Sequence, residues 1–329
     1  MTSRLDNRPL LSTFDDAALF VDPPSLARAS AAVRRRLNVL ILGAPGSGKT
    51  SALHRIAADA DAGELGLRPL YVDLAPASTA AQALALILEA MGQHDFVRAW
   101  GDTLRAGFAA PSTPSAELVG LVRRLGESPP SLILADSPPG DGETHLLFGR
   151  LRDELWQLDH RWVVAVPAVQ RDEVSRPPAD AFFDVRVELG PLPDVDRHEL
   201  LARRFGDENG VDLEALARAS DGLPRSLIET AREAVLSGSS AEELAAGRHA
   251  LQRRLDALPD SAGAAYAYLR ARGPTAASDG DLLSAMGFSA QRARVVLGGL
   301  EREGLARSFA ERAERRGRPR KLYEAVARP

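Results

Sequence analysis

Apolar runs punctuate the first two-thirds of the chain at Val39 to Leu42, Pro69 to Val72, Leu132 to Ala135, Trp162 to Val166 and Val185 to Leu189. The first contains no polar position, the pattern of a strand buried on both faces of a parallel sheet. Between these runs a helical period predicts helices over residues 24–37, 80–91, 116–125 and 144–158. Strands alternating with helices predict an α/β fold, a parallel sheet covered by helices on both faces. After Pro191-Leu192-Pro193 the strand pattern stops, and four short helical stretches run from Asp196 to Leu258. A Pro259-Asp260-Ser261 break follows. The expected division is a core over 1–190, a helical segment over 191–250 and a last module over 251–329.

That last module reads as three helices and a hairpin. Residues 264–272 and 279–286 form the first two helices, and Ser289 caps a third that runs to Glu303. Ala293, Val296, Leu297 and Leu300 fall at i, i+3, i+4 and i+7 and face inward, leaving Gln291, Arg292, Arg294 and Arg302 on the opposite face. Strand signals at 306–309 and 322–326 enclose Arg312, Arg315, Arg316, Arg318, Arg320 and Lys321. Three helices followed by a basic hairpin predict an α+β winged helix. Its third helix suits a major groove, and its wing suits phosphates or a narrow minor groove. Duplex DNA is the expected partner, and protein docking is the competing use of such a module.

Charge strengthens this picture. The net charge is −4, yet residues 251–329 sum to +6 and the preceding 250 residues to −10. A basic module on an acidic body suits a polyanion. With 45% hydrophobic and 26% charged residues, the composition is that of a globular protein. No apolar run approaches a bilayer span and no signal pattern opens the chain, so the expectation is a cytoplasmic protein without a membrane partner. The absence of cysteine excludes disulfides, thiolate metal sites and thiol nucleophiles. Of 41 basic residues only Lys49 and Lys321 are lysines.

One of those two lysines completes a motif. Gly43-Ala44-Pro45-Gly46-Ser47-Gly48-Lys49-Thr50 matches G-x-x-x-x-G-K-[ST], between a predicted buried strand and a helix. Glycines allow successive backbone N–H groups to turn toward phosphate oxygens, and the helix dipole favours the same anion. Residues 43–50 with Ser51 are therefore candidates for ATP or ADP binding, Lys49 for the β- and γ-phosphates, and Thr50 for Mg²⁺. Arginine's planar fork does not fit where a compact ammonium must sit. Asp136 ends an apolar strand and is the candidate carboxylate on the metal side. The following residue is Ser137, where most such ATPases carry a glutamate that orients water. Serine is no base near neutral pH, so hydrolysis is expected to be slow or to draw on Asp73, Asp141 or Glu143.

Taken together, these motifs resemble an AAA+ P-loop ATPase of the origin-recognition and replication-initiator branch, over residues 15–329. The resemblance implies a P-loop NTPase sheet with a helical lid, followed by a winged helix. It also gives meaning to Gly222-Leu223-Pro224-Arg225, similar to the lid turn whose arginine reaches the γ-phosphate of nucleotide bound to the same chain. Arg176, before the fifth strand, resembles the arginine finger that completes a neighbouring subunit's site. Polar residues normally follow the fourth strand as a γ-phosphate sensor. Here Pro167-Ala168-Val169 stands first, with Gln170 and Arg171 beyond. Leu19 to Pro24 matches the linker that lines the adenine pocket in relatives. The implied function is a weak ATPase whose nucleotide state controls homo-oligomer assembly and DNA binding. The alternatives are a STAND-type signalling or defence ATPase, or a nucleotide-binding adaptor with possible protein partners.

Overall fold

In the computed structural model the described residues are 5–11, 14–61, 66–107, 115–140, 142–205, 212–311 and 320–326. They form two compact units, Met1–Gly238 and Ser239–Pro329. The first unit is built on five parallel strands, β1 (Val39–Gly43), β2 (Arg68–Asp73), β3 (Ser131–Asp136), β4 (Arg161–Pro167) and β5 (Val185–Leu189). Their order is β2-β3-β4-β1-β5. Every predicted strand is present, because a run of buried apolar side chains stabilises little except a sheet covered on both faces. The register aligns Gly43 with Pro167 and Asp136 with both Ala165 and Asp73, so the strand ends that carry the motif residues share one edge. In open α/β sheets that carboxyl edge is where ligands bind.

Among the described residues of this unit, nine α-helices precede the lid: α1 (Phe14–Ala17), α2 (Pro24–Arg34), α3 (Lys49–Asp61), α4 (Ala80–Ala90), α5 (His94–Gly107), α6 (Ser115–Gly126), α7 (Glu143–His145), α8 (Arg152–Trp156) and α9 (Arg171–Ser175). Alternation along the strands divides the core. Leu40, Leu42, Ile133, Ala135, Val164 and Val166 pack with Leu84, Ile87 and Leu121 on one face. Val39, Ile41, Leu132, Leu134, Val163 and Ala165 pack with Leu26, Leu53 and Ile56 on the other. Helix α2 stops at Arg34, short of the predicted residue 37, because Arg36 takes φ 58°. The helix predicted over 144–158 is three pieces, with a π-helical turn at Leu146–Arg150 between α7 and α8. The lid follows as α10 (Asp194–Phe205), α11 (Leu213–Ala219) and α12 (Pro224–Ser237), and Gly238 at φ 67° ends α12.

The second unit opens with α13 (Ala241–Asp256), started by a Ser240–Glu243 capping box and running straight through the division expected at residue 250. It continues with α14 (Asp260–Arg272), β6 (Thr275–Ala276), α15 (Gly280–Met286), α16 (Ala290–Arg302), β7 (Ala306–Glu311) and β8 (Arg320–Ala325). The three strands pair antiparallel in the order β6-β8-β7. Tyr266, Leu269, Leu282, Leu297, Leu300 and Tyr323 form its core. This is a winged helix. The two-residue β6, which sequence alone does not show, supplies the third strand. Among the described residues no helix is long and apolar enough to cross a membrane.

Candidate functional site

The loop between β1 and α3 is shaped by its glycines. Gly46 and Gly48 lie at φ 83° and 91°, a region that side chains disfavour. Gly43 is required for a different reason, since a Cβ there would stand 2.3 Å from Ser47 Oγ. Lys49 is the first residue of α3 and donates from Nζ to the carbonyls of Gly43 at 3.0 Å and Ala44 at 3.1 Å. Burial holds its pKa below the ordinary value; Asp136 opposes that shift and Arg225 adds to it. Ser47 is buried and its hydroxyl has no hydrogen-bond partner among the described residues. A partly desolvated ammonium and an unmatched hydroxyl inside a loop of left-handed glycines fit a polyphosphate.

β4 lies between the loop strand β1 and the aspartate strand β3. Asp136 is 4% exposed and accepts three hydroxyls. Thr50 Oγ1 donates to its Oδ2 at 2.5 Å, Tyr71 Oη to the same oxygen at 3.2 Å, and Ser137 Oγ to Oδ1 at 3.2 Å. An oxygen set of Thr50 hydroxyl and Asp136 carboxylate is the chemistry a hard cation such as Mg²⁺ takes. Tyr71 is a member of this network that no motif marks, because a tyrosine in a strand reads as packing. The Tyr71 hydroxyl is pushed up in pKa by burial and then by Asp136 and Asp73, which keeps it a donor. The His54 ring lies 4.2 Å from the Tyr71 ring, its pKa lowered by burial against the pull of Asp136 and Asp16.

Ser137 occupies the position of the expected base with φ 53°, its amide donating to Ala165 O at 3.0 Å. Of the substitute carboxylates, Glu143 accepts from the Ala80 amide at 2.7 Å and so serves the start of α4. Asp73 lies level with Asp136 and accepts from the Ala75 amide at 3.0 Å, a local turn contact. Asp141 lies outside the described residues. Beyond β4, Gln170 turns back to the loop after β3, donating from Nε2 to Pro138 O at 3.4 Å with a buried Oε1. Arg171 pairs with Glu188 at 2.7 Å on the surface. Arg176 is exposed and has no ion-pair partner among the described residues.

The lid turn meets the phosphate loop. The Arg225 amide donates to Gly46 O at 3.2 Å, and a Cβ on Gly46 would stand 2.8 Å from Arg225 Cβ. Gly222 takes φ 82°, its carbonyl accepts from the Leu192 amide at 2.9 Å, and the Arg197 guanidinium fills the space where a Cβ would project. Beside this contact lies an apolar pocket lined by Phe20, Val21, Pro23, Ala52, Leu192 and Ile228 among others. It brings together the Leu19 to Pro24 stretch, α3 and the lid. Residues 5–11 form a strap beside it, a feature that sequence patterning does not show. The Leu10 amide donates to Ser51 Oγ at 3.0 Å, Asn7 to Glu229 at 3.2 Å, and Arg8 to both oxygens of Asp16 at 2.6 and 2.7 Å.

In the winged helix, Ser289 Oγ caps α16 by accepting from the Arg292 amide at 3.2 Å. Gln291, Arg292 and Arg294 are exposed, and the Arg292 guanidinium lies 5.0 Å from the Phe288 ring. Arg320 is exposed at the start of β8. Lys321 is held at home: its ammonium pairs with Glu301 of α16 at 2.8 Å and lies 4.7 Å from the Tyr323 ring, while Ser308 donates to the same carboxylate. It ties the hairpin to α16. Arg312, Arg315, Arg316 and Arg318 lie outside the described residues.

A β2-β3-β4-β1-β5 sheet with a phosphate loop, a helical lid and a following winged helix is a P-loop NTPase α/β fold joined to a winged-helix domain. Among solved structures the chain is similar to the ORC1 protein of Aeropyrum pernix in complex with DNA, at 18% identity over 97% of this chain and 93% of that one, with a TM-score of 0.50. It also matches the ORC2 protein of the same organism (18% identity, 94% and 92% covered, TM-score 0.44) and Cdc6p of Pyrobaculum aerophilum (13%, 95% and 94%, 0.46). At 18% identity the likeness to the ORC1 protein shows the fold alone. No protein-family model matches the sequence, and no curated protein matches it.

Proposed function

We propose that this protein binds ATP with Mg²⁺ and uses nucleotide state to control its own assembly and its hold on duplex DNA through the winged helix. The seat of the Arg225 turn on Gly46 carries this reading, since it joins the phosphate loop to the lid by a direct hydrogen bond. Residues 43–51 hold the phosphates through backbone N–H groups and Lys49. Thr50 and Asp136 hold the cation, which when bound neutralises charge on the phosphate oxygens. Tyr71 and Ser137 orient the Asp136 carboxylate by donating to it. Arg225 gains a charge-assisted contact when a γ-phosphate is present, drawing α12 down, and exposed Arg176 serves a neighbouring copy in trans. Gln291, Arg292, Arg294, Arg320 and the wing arginines meet DNA. Several winged helices set side by side convert modest affinity into stable loading.

Ser137 favours a second reading for turnover. With a serine after Asp136 and Glu143 engaged at α4, the chain holds ATP as a switch, hydrolysing it slowly or not at all. That is the behaviour of an adaptor or a signalling ATPase, in which the winged helix docks protein. The two readings part in a titration with duplex DNA at two salt concentrations, with and without ATP. Affinity that falls steeply with salt and rises with ATP supports the DNA-loading switch, and no binding in any of the four conditions sinks it. Oligomeric state on adding ATP, for the wild type and Arg176→Ala, tests the trans arginine. Identical assembly and turnover returns Arg176 to an ordinary surface residue.

A further inference from the structure

Helix α16 carries an outward-facing line that the basic residues do not explain. Ala293, Leu297 and Leu300 point into the core, so with 3.6 residues per turn the centre of the opposite face runs through Gln291, Val295, Gly298 and Arg302. Arg294 flanks this line. Arg292 is drawn to the other side, over Phe288. Val295 is 65% exposed although it is apolar and β-branched, a poor choice for a solvated helix position. Gly298 and its neighbour Gly299 are stranger still. Glycine in a helix interior is destabilising relative to alanine, and a Cβ at either position would meet nothing within 4 Å. Nothing among the described residues requires their missing side chains.

We infer that this line is the base-reading surface of the winged helix, in which Val295 contacts a thymine methyl group and Gly298 is kept bare so that a major-groove floor can approach the helix backbone. The inference rests on the DNA reading above. Gln291 one turn earlier is the side chain that matches adenine N6 and N7, and an apolar side chain is what a thymine methyl takes. Arg294 beside the line and Arg302 at its end supply the charge that favours a nucleic acid over an apolar protein groove. Arg302 is also folded along the line, its Nε donating to Gly298 O at 3.3 Å. A solvated helix face has no use for an exposed valine and two glycines together.

The test uses the full chain and a pool of random-sequence duplexes, selected separately with wild type and Val295→Ala. Each thymine of the wild-type-selected duplex is then replaced by uracil in turn, and affinity is read by fluorescence anisotropy at fixed salt. At one position uracil should weaken the wild type about fourfold, the worth of one buried methyl group, and leave Val295→Ala unaffected. Gly298→Ala should melt at a higher temperature than wild type yet bind that duplex at least several-fold more weakly, opposite signs that a purely structural glycine would not give. Indifference of the wild type to every uracil, a penalty that persists in Val295→Ala, or undiminished binding by Gly298→Ala overturns the inference. Salt-dependent binding without any sequence enrichment overturns it alone, while no binding to any duplex removes the DNA reading with it.

Discussion

The backbone amide of Arg225 donates to the carbonyl of Gly46 at 3.2 Å, so the first turn of α12 rests on the phosphate loop itself. Gly46 therefore serves two partners, taking φ 83° for the loop and leaving room for Arg225. Gly46→Ala forces a side chain into a left-handed conformation at a cost of about 1–2 kcal/mol and drives its Cβ against Arg225. The expected outcome is a lower melting temperature and an affinity for a fluorescent ATP analogue at least about tenfold weaker, equivalent to 1.4 kcal/mol. Combining it with Arg225→Gly should restore only the steric part. Wild-type melting and affinity in Gly46→Ala would show that the lid contact is incidental.

Lys49 makes a prediction with a definite sign in pH. Burial lowers its pKa in the folded state below the ordinary 10.5, so between the two values the unfolded chain binds more protons. Stability of the nucleotide-free protein should accordingly rise as pH climbs through that window. Lys49→Met should lack this component. It should also lose the stabilisation that ATP confers, about 2.7 kcal/mol in the wild type at a hundred times Kd. Denaturant titrations over pH, with and without ATP, separate the two effects. An ATP-induced shift that survives in Lys49→Met would deny the lysine its phosphate role.

The strands and the phosphate loop were legible because their physics is local. A run such as Val39 to Leu42 has one stable fate, and a loop of glycines before Lys49 has one common use. Asp136 was legible as a carboxylate ending such a strand, and Thr50 Oγ1 lies 2.5 Å from it. What escaped depends on contacts distant in sequence. Tyr71 gains meaning from an aspartate 65 residues away, and Leu10 from Ser51, 41 residues away. Lys321 reads as a wing cation until Glu301 is beside it. Helix α5 (His94–Gly107) was missed, and β6, at two residues, is too short to leave a period.

His160 should make the first unit sensitive to acid. It is buried, accepts the Ser131 amide at Nδ1 at 3.1 Å and donates from Nε2 to Leu125 O at 3.1 Å, a pattern only the neutral ring can hold. Burial lowers its pKa below 6.5, with the Leu125 bond and Asp159 opposing that shift. As pH falls below 6.5 the unfolded chain takes up the proton first, so stability declines until the folded pKa is passed. His160→Gln should cost about 1–3 kcal/mol at pH 8 and flatten the decline. Part of it will persist, since the His54 pKa is also lowered by burial. Equal slopes in both proteins between pH 8 and 5 would exclude His160 as a source.

Ser137 separates strain from chemistry. Its φ of 53° disfavours any side chain, while its hydroxyl returns a hydrogen bond to Asp136 at 3.2 Å. Ser137→Ala keeps the strain and loses the bond, a destabilisation of about 1 kcal/mol. Ser137→Gly loses the bond but relieves the strain and should be near neutral. ATP turnover should fall alike in both variants and only as far as affinity for ATP with Mg²⁺ falls, because the serine orients Asp136 and passes no proton. A large fall in turnover without a fall in ATP affinity would give the serine a chemical role.

Asp16 is the carboxylate on which the N-terminal strap hangs. It is 1% exposed, accepts Arg8 at 2.6 and 2.7 Å and the Leu11 amide at 2.8 Å, and feels the buried Arg204 of the lid. Burial alone would raise its pKa. The Arg8 and Leu11 hydrogen bonds, with the charges of Arg8 and Arg204, outweigh burial and hold it below 3.8. Its contribution to stability is therefore complete above that value and is lost as pH falls through the folded pKa. Asp16→Ala should cost about 3 kcal/mol, since it leaves Arg204 buried with one counter-charge fewer. Arg8→Ala, whose side chain is 41% exposed, should cost about 1 kcal/mol or less. Both should loosen Leu10 from Ser51 beside the apolar pocket, so ATP analogue affinity should fall in the order wild type, Arg8→Ala, Asp16→Ala. If the two variants lose stability equally, the strap is held by its exposed pair alone and Arg204 takes no part.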